Sequence, residues 1–386
     1  MAVMLYISTV YPDVRGVKWV STFRDAGMDV VVLRGRGLKG GSDLWPERGD
    51  AELVESIEKL DTKFPIMPSL ARRIARRALS YQPAVILVRD IFLAGYALYA
   101  ARRLDIPCYV DAADNYPEVM KTVAKSQLGR LGGFCLLNLW ERHVLRSANG
   151  VIVVTPESKN HIVHKHHISP SRVFVVENVP KNSHAHVSTK SCFTGKLVYV
   201  GTVDRGVRDL ATAIEGLKEY HELTGEKVSL TVYSFAPDEV QGTVCQLEEY
   251  AEYVTVMPTV ANQALFHTLQ RFDAGVVPHC RCPATEYTAP NKLYDYLYSG
   301  IPVLCSDNPP LKRIIGDTGG GIAYSCGDAN SFALALRRLK AEIEHGCAKV
   351  DTSVLLSKYE WDAQVQCFVR RVRETLKQNE GTGQSK

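Results

Sequence analysis

The chain has 386 residues, with 46% hydrophobic and 23% charged side chains and a mean hydropathy of -0.09. That is enough chain for two ordinary domains whose cores need no disulfide or metal, and it excludes disordered, collagenous and coiled-coil classes. The net charge of +4 hides an asymmetry: residues 1–180 carry 24 Lys and Arg against 18 Asp and Glu, and the remainder carries 22 against 24. The basic first half admits an anionic partner or a membrane surface, but no basic and aromatic RNA-type signature accompanies it, so nucleic acid is not expected.

In chain order, strand-like runs are predicted at Met4 to Val10, Asp29 to Leu33, Ala84 to Val88, Pro107 to Val110, Gly150 to Thr155 and Arg172 to Val176. Helices are predicted between them at Lys18 to Ala26, Ala51 to Leu60, Leu70 to Leu79, Phe92 to Leu104 and Gly132 to Ala148. Several of the strands are apolar almost without alternation, as parallel strands covered on both faces are. The polar stretch from Pro180 to about Gly195 reads as a linker.

A second series has strands at Lys196 to Val200, Ser229 to Tyr233, Tyr253 to Met257, Asp273 to Val277, Pro302 to Cys305 and Gly321 to Ser325. Its helices are expected at Val207 to Glu219, Ala261 to Gln270, Asn291 to Ser299 and Ala329 to Glu344. Two doubly wound α/β domains follow, spanning 1–182 and 190–360, with a cleft expected at the carboxyl ends of their sheets. A last helix, placed at 361–378, has no strand after it and is expected to cross back to the first domain.

The ten cysteines are mostly isolated, and Cys280 with Cys282 has no second pair at zinc-ribbon spacing, as in a reducing compartment. Met1 to Leu5 lacks the basic segment of a signal peptide, and no run of 18 apolar residues occurs. A cytoplasmic location is expected, with a peripheral contact at the inner face of the membrane left open.

Gly35-Arg-Gly37-Leu-Lys-Gly40 has dinucleotide-motif spacing but follows the second strand and opens no helix, so it reads as a loop. The segment from Glu286 to Val303 is more informative. Thr288 can cap, Pro290 fits a first helical position and Gly300 fits just past the end. Such a helix start offers amides to phosphate. Lys292 in its first turn opposes the dipole unless an anion is bound, and Asp295 one turn later can accept hydrogen bonds from vicinal hydroxyls. His161, His164, His166 and His167 read as a solvated basic turn, and the tyrosines 287, 294, 296 and 298 divide between cleft and core.

This segment resembles the acidic signature of the retaining nucleotide-sugar glycosyltransferases of family 4, which have the two-domain GT-B architecture. Tyr199-Val-Gly201-Thr202 with Arg205-Gly206, Val151 to Ser158, Asn178-Val-Pro180, Asp111 to Glu118 and Trp140-Glu-Arg142 extend the resemblance to about Leu376. It implies that Asp295 binds ribose hydroxyls, that Asn291, Lys292 and Leu293 lie near the donor sugar and phosphates, and that Arg205 grips the diphosphate. It also places Gly16, Gly201 and Tyr233 at the donor.

Two positions depart from the family pattern. The first acidic residue should fall at Tyr287, whereas the carboxylate is at Glu286, and many relatives carry His where this chain has Ala113. Asp114 is the nearest polar substitute and joins Glu286, Arg205 and Lys292 as a catalytic candidate. The resemblance implies a transferase moving sugar from a nucleoside diphosphate sugar, without added cofactor or metal, in polysaccharide or glycoconjugate synthesis. The acceptor would be a hydroxyl-bearing saccharide, lipid-linked or small. A sugar-nucleotide epimerase or hydrolase, or an inactive donor-binding or structural subunit, are the alternatives.

Overall fold

The computed structural model describes residues 2–36, 50–60, 67–123, 127–181, 185–186, 192–203, 206–245 and 252–383. Most of the 35–40 glycine motif lies outside them, as do Arg205 and much of the 180–195 stretch. The chain divides into one compact unit of residues 1–177 with 361–386 and a second of residues 178–360.

The first unit runs β1 (Val3–Val10), α1 (Val14–Asp25), β2 (Asp29–Arg36), β3 (Leu53–Ser56), α2 (Pro68–Tyr81), β4 (Val85–Arg89), α3 (Ile91–Leu104), β5 (Cys108–Asp111), α4 (Tyr116–Val123), α5 (Gln127–Ser147), β6 (Gly150–Val153), α6 (Pro156–His166) and β7 (Val173–Val175). Its seven strands are parallel, in the order β3-β2-β1-β4-β5-β6-β7. The apolar runs of β1, β4, β5 and β6 are buried because helices cover the sheet.

The helix expected over 51–60 is instead the edge strand β3, paired with β2 through Val31–Leu53 to Arg34–Ser56. Here the available sheet edge overrides a helical spacing of apolar residues. Thr155 caps α6 by accepting from the Ser158 amide, and Pro156 takes its first position.

The second unit runs β8 (Lys196–Val200), α7 (Leu210–Thr224), β9 (Ser229–Ser234), α8 (Pro237–Cys245), β10 (Val254–Pro258), α9 (Asn262–Leu269), β11 (Ala274–Val277), α10 (Asn291–Tyr298), β12 (Val303–Ser306), α11 (Pro309–Thr318), β13 (Gly321–Tyr324), α12 (Ala329–Glu344) and α13 (Thr352–Lys358). Its parallel sheet has the order β10-β9-β8-β11-β12-β13. In both sheets the order reverses beside the unit's first strand, β1 against β4 and β8 against β11. In open α/β sheets that reversal leaves a crevice at the carboxyl ends. Both units are therefore Rossmann-like, as the GT-B architecture requires.

The last helix, α14 (Trp361–Gly383), belongs to the first unit. Phe368 meets the rings of Trp19, Phe23, Tyr109 and Phe174 edge-on at 5.1–6.2 Å. Trp361 donates its indole N–H to Thr22 Oγ1 at 2.8 Å, and Arg373 reaches Ala26 O at 3.0 Å.

Candidate functional site

The second unit gathers polar groups at its switch point. Gly201 follows β8 and donates its amide to Tyr233 O at 2.8 Å. Its φ of +144 is one that side-chain-bearing residues rarely adopt, and a Cβ there would stand 2.6 Å from Lys292 Nζ. Glycine thus admits the lysine, whose Nζ lies 3.8 Å from the centroid of the Tyr199 ring. Tyr199 is itself fixed by donating to Thr202 O at 2.7 Å.

Three buried nitrogens here have no hydrogen-bond partner among the described residues: Lys292 Nζ, Arg208 Nε and His279 Nδ1. Arg208 spends one N–H on Thr202 Oγ1, at 2.6 Å, and pairs as a β-bridge with His279, whose amide donates to Ser306 Oγ at 3.0 Å. Burial, then the neighbouring Arg208 charge, push the Lys292 ammonium well below its usual range, while Asp295 pulls it up. Burial, with Lys292 and Arg208, lowers His279 to about 3, so its ring is neutral. Unpartnered buried donors and two cations held close together are costly unless an anion joins them. The arrangement is that of an anion site.

The start of α10 adds to it. Pro290 is the N-cap and Asn291 the first helical residue, so the amides of Asn291 and Lys292 face outward from the first turn. The expected Thr288 cap is not formed. Its hydroxyl donates back to Ala284 O at 3.4 Å, because Pro290 already fixes the entry. Gly300 does follow the helix end, with φ +75.

The other predicted residues divide. Asn291 is exposed, Leu293 is wholly buried in the core, and Asp295 is half-buried one turn after Asn291. Glu286 is held in a two-pronged ion pair by Arg281, at 2.9 and 2.7 Å, so its carboxylate is already satisfied. Tyr294, Tyr296 and Tyr298 are all core, and Tyr296 Oη accepts from the Val200 amide at 2.9 Å. Arg205 lies outside the described residues. Arg208, three positions on, is the arginine seen at the site and was missed. His279 follows a strand end, where the sequence alone reads at least as well as a satisfied loop histidine as it does as a cleft residue.

In the first unit, Gly16 lies in α1, where a Cβ would come within 2.6 Å of Asp13 Oδ1. Asp13 is ion-paired with Arg89 at the end of β4. Asp111, at the end of β5, accepts two bonds from Arg15 and one from the Trp19 indole, all at 2.8 Å and buried. Ala113 is half-buried. Asp114 beside it is exposed, although the protein packed around its carboxyl, and secondarily Asp111, raise its pKa. Its exposure leaves that shift without weight for stability.

Asp90, missed by the sequence reading, caps α3 from a φ of +67 by accepting from the amides of Phe92 and Leu93. Burial pushes its carboxyl up to about 6, against those two bonds and Arg89. The unfolded chain releases this proton near pH 4, so folded stability is greatest below that and falls as the pH rises to about 6, by at most ~3 kcal/mol. Asp90→Asn keeps the cap and removes the titration. Urea denaturation at pH 4.5 and 7 is expected to show the variant gaining on the native chain at the higher pH.

The histidine cluster corrects an expectation. It is no solvated turn: His166 is fully buried and bonds Glu141 at 2.6 Å, Lys165 joins Glu141 to Glu118, and His161 bonds Glu118 at 3.1 Å. Burial would raise the Glu118 carboxyl, but the bonds from His161 and Lys165 hold it down at about 2. Sequence spacing shows neither glutamate, since both come from other helices. No group of three or more His, Cys, Asp and Glu among the described residues is arranged to hold a metal.

Residues 18–179 match the family described as Glycosyltransferase Family 4, and residues 194–342 match Glycosyl transferases group 1. Among solved structures, a glycosyltransferase from Rickettsia africae is similar, with 11% identity and a TM-score of 0.68 over 97% of this chain and 99% of that one. Sucrose-phosphate synthase from Thermosynechococcus elongatus gives 14% and 0.73 over 96% and 98%. The Anabaena protein HepE, in complex with UDP and glucose, gives 11% and 0.65 over the whole of both chains. No curated protein matches the sequence.

Proposed function

We propose that this chain, a GT-B glycosyltransferase related to family 4 and group 1 and drawing on a nucleotide-sugar donor, moves the sugar to a hydroxyl acceptor with retention at the anomeric carbon. The observation that carries the reading is the set of nitrogens of Lys292, Arg208 and His279 beside Gly201 that have no hydrogen-bond partner among the described residues. A diphosphate would satisfy them, and the charge that grows on it as the sugar departs would meet two cations and the α10 amides already in place. Asp295 would accept from the ribose hydroxyls. Asn291, Tyr233 and Gly16 are further donor-side candidates, and Asp114 with Asp90 would orient the acceptor hydroxyl at the end of the first sheet. The paired Glu286 is better suited to holding its loop than to reacting.

Retention without a protein nucleophile needs departure and attack on one face of the sugar. Phosphate oxygens held by cations can then take the acceptor proton, and no metal is required by this scheme. A saccharide, lipid-linked or small, is the acceptor class we favour, with a role in polysaccharide or glycoconjugate synthesis. The test is turnover of a panel of nucleoside diphosphate sugars with simple glycoside acceptors, reading the first-formed anomer by proton NMR. An α-linked donor is expected to give an α-linked product. An inverted product overturns retention, and sugar-nucleotide conversion that ignores the acceptor favours the epimerase or hydrolase. Asp295→Ala is expected to weaken donor binding about 10- to 150-fold, the loss of one charged hydrogen bond.

A further inference from the structure

On the first unit, α2 packs against α3 and α3 against α5. These three helices together carry nine arginines, no lysine and one acidic residue, Glu141, which is buried against Lys165 and His166. A solvated helical surface ordinarily mixes both signs. Here only one sign reaches water.

The arginines of α2 separate into two sets. Arg73 and Arg77 face one way and find partners, the Glu58 carbonyl and the Glu55 carboxylate. Arg72 and Arg76 lie on the next stripe, close to Ala71, and are exposed with no acidic partner among the described residues. The same holds for Arg102 on α3 and Arg142 on α5.

The same face is apolar between its cations. Leu131, Leu136 and Leu139 of α5 are 65%, 71% and 63% exposed, and Leu79 of α2 is 53% exposed. Leu131, Cys135, Leu139 and Arg142 follow one another at helical spacing, and Leu136 and His143 flank Trp140. Beside Trp140 a pocket of about 200 Å³ opens between the three helices, lined mostly by Ala71, Tyr96, Leu98, Tyr99, Arg102 and His143. Large exposed leucines around an apolar pocket mark a binding surface. Unpaired arginines around them select a negatively charged partner.

We propose that the α2–α3–α5 face docks onto an anionic lipid bilayer, with Leu131, Leu136 and Leu139 entering the acyl boundary and Arg72, Arg76, Arg102 and Arg142 meeting lipid phosphates. The pocket beside Trp140 receives part of an acyl chain. No helix among the described residues is long and apolar enough to cross a membrane, so the contact is peripheral. The leucines decide for a bilayer over a soluble polyanion, which would recognise the arginines alone. This inference goes beyond the donor chemistry and does not rest on it.

The test is co-sedimentation of the full chain with vesicles of phosphatidylcholine alone or with a third of phosphatidylglycerol, at low and high salt. The native chain is expected to sediment with the anionic vesicles and to be released by salt. A surface cation contributes roughly fivefold to such partitioning, so replacing Arg72, Arg76, Arg102 and Arg142 together by Gln is expected to lower it by more than tenfold. Leu136→Ser with Leu139→Ser is expected to lower it comparably. Each of these side chains is exposed, so the native Tm is kept. Failure of the native chain to sediment overturns the proposal. So does full retention by the leucine variant, which would leave a polyanion-binding surface instead.

Discussion

Lys292→Met is expected to make the ligand-free protein more stable and at the same time to remove most of its affinity for the donor. The ammonium is buried without a hydrogen-bond acceptor among the described residues and shares its surroundings with Arg208. Methionine fills nearly the same volume without the cost of an unpaired charge. A gain of only ~1 kcal/mol moves the Tm by about 2–4 °C for a unit of this size. The sign of the pH dependence follows. The unfolded chain holds this proton up to the ordinary lysine range and the folded, ligand-free chain releases it earlier, so stability rises with pH across that interval and the variant loses the rise. Donor affinity is expected to fall at least 10-fold and turnover by about 100- to 1,000-fold, since in the proposed scheme the lost cation faces charge that develops as the sugar leaves. Scanning calorimetry and donor titration of the same samples read both effects. Undiminished donor affinity would remove Lys292 from the diphosphate site.

Asp111→Ala is expected to cost about 3–5 kcal/mol, because it strands a buried guanidinium and a buried indole N–H at once. Arg15 is held by both oxygens of Asp111 and by Val176 O, and it stacks over the rings of Trp19 and Trp361. Asp111→Asn retains one acceptor oxygen and should lose distinctly less. Urea denaturation, followed by tryptophan fluorescence, separates the two. Equal stability of the alanine variant and the native chain would mean that Arg15 finds another acceptor or reaches water.

The doubly wound pattern was legible because strands such as Val85–Arg89 and Val303–Ser306 are uninterrupted apolar runs, and helices such as Ala329–Glu344 carry an Asp328 cap and a clear apolar stripe. Lys292, Asp295 and Gly201 stand out in the sequence for a local reason: they lie at the start of one helix and just past the end of one strand. Other polar pairs, within each unit, are joined across the chain instead. His279 is brought to Arg208 by the neighbouring strands, Asp13 to Arg89 across 76 residues and Arg15 to Asp111 across 96. No window of sequence contains such pairs. The strand Leu53–Ser56 failed for a related reason, since only the waiting edge of β2 makes it a strand. The Thr288 cap failed because two initiation signals stood two residues apart and the proline prevailed.

The return of α14 to the first unit sets an order on the making of the protein. Domains generally fold as they leave the ribosome, amino-terminal first. Here the unit begun first is completed only after the second has been made, because Trp361 and Phe368, which close over Trp19 and Phe23, follow residues 178–360 in the chain. Until then the aromatic face of α1 stays open while residues 178–360 are already able to fold as an uninterrupted stretch. A chain ending early, just after Glu360, would therefore carry its lesion in the portion farthest from the truncation in sequence.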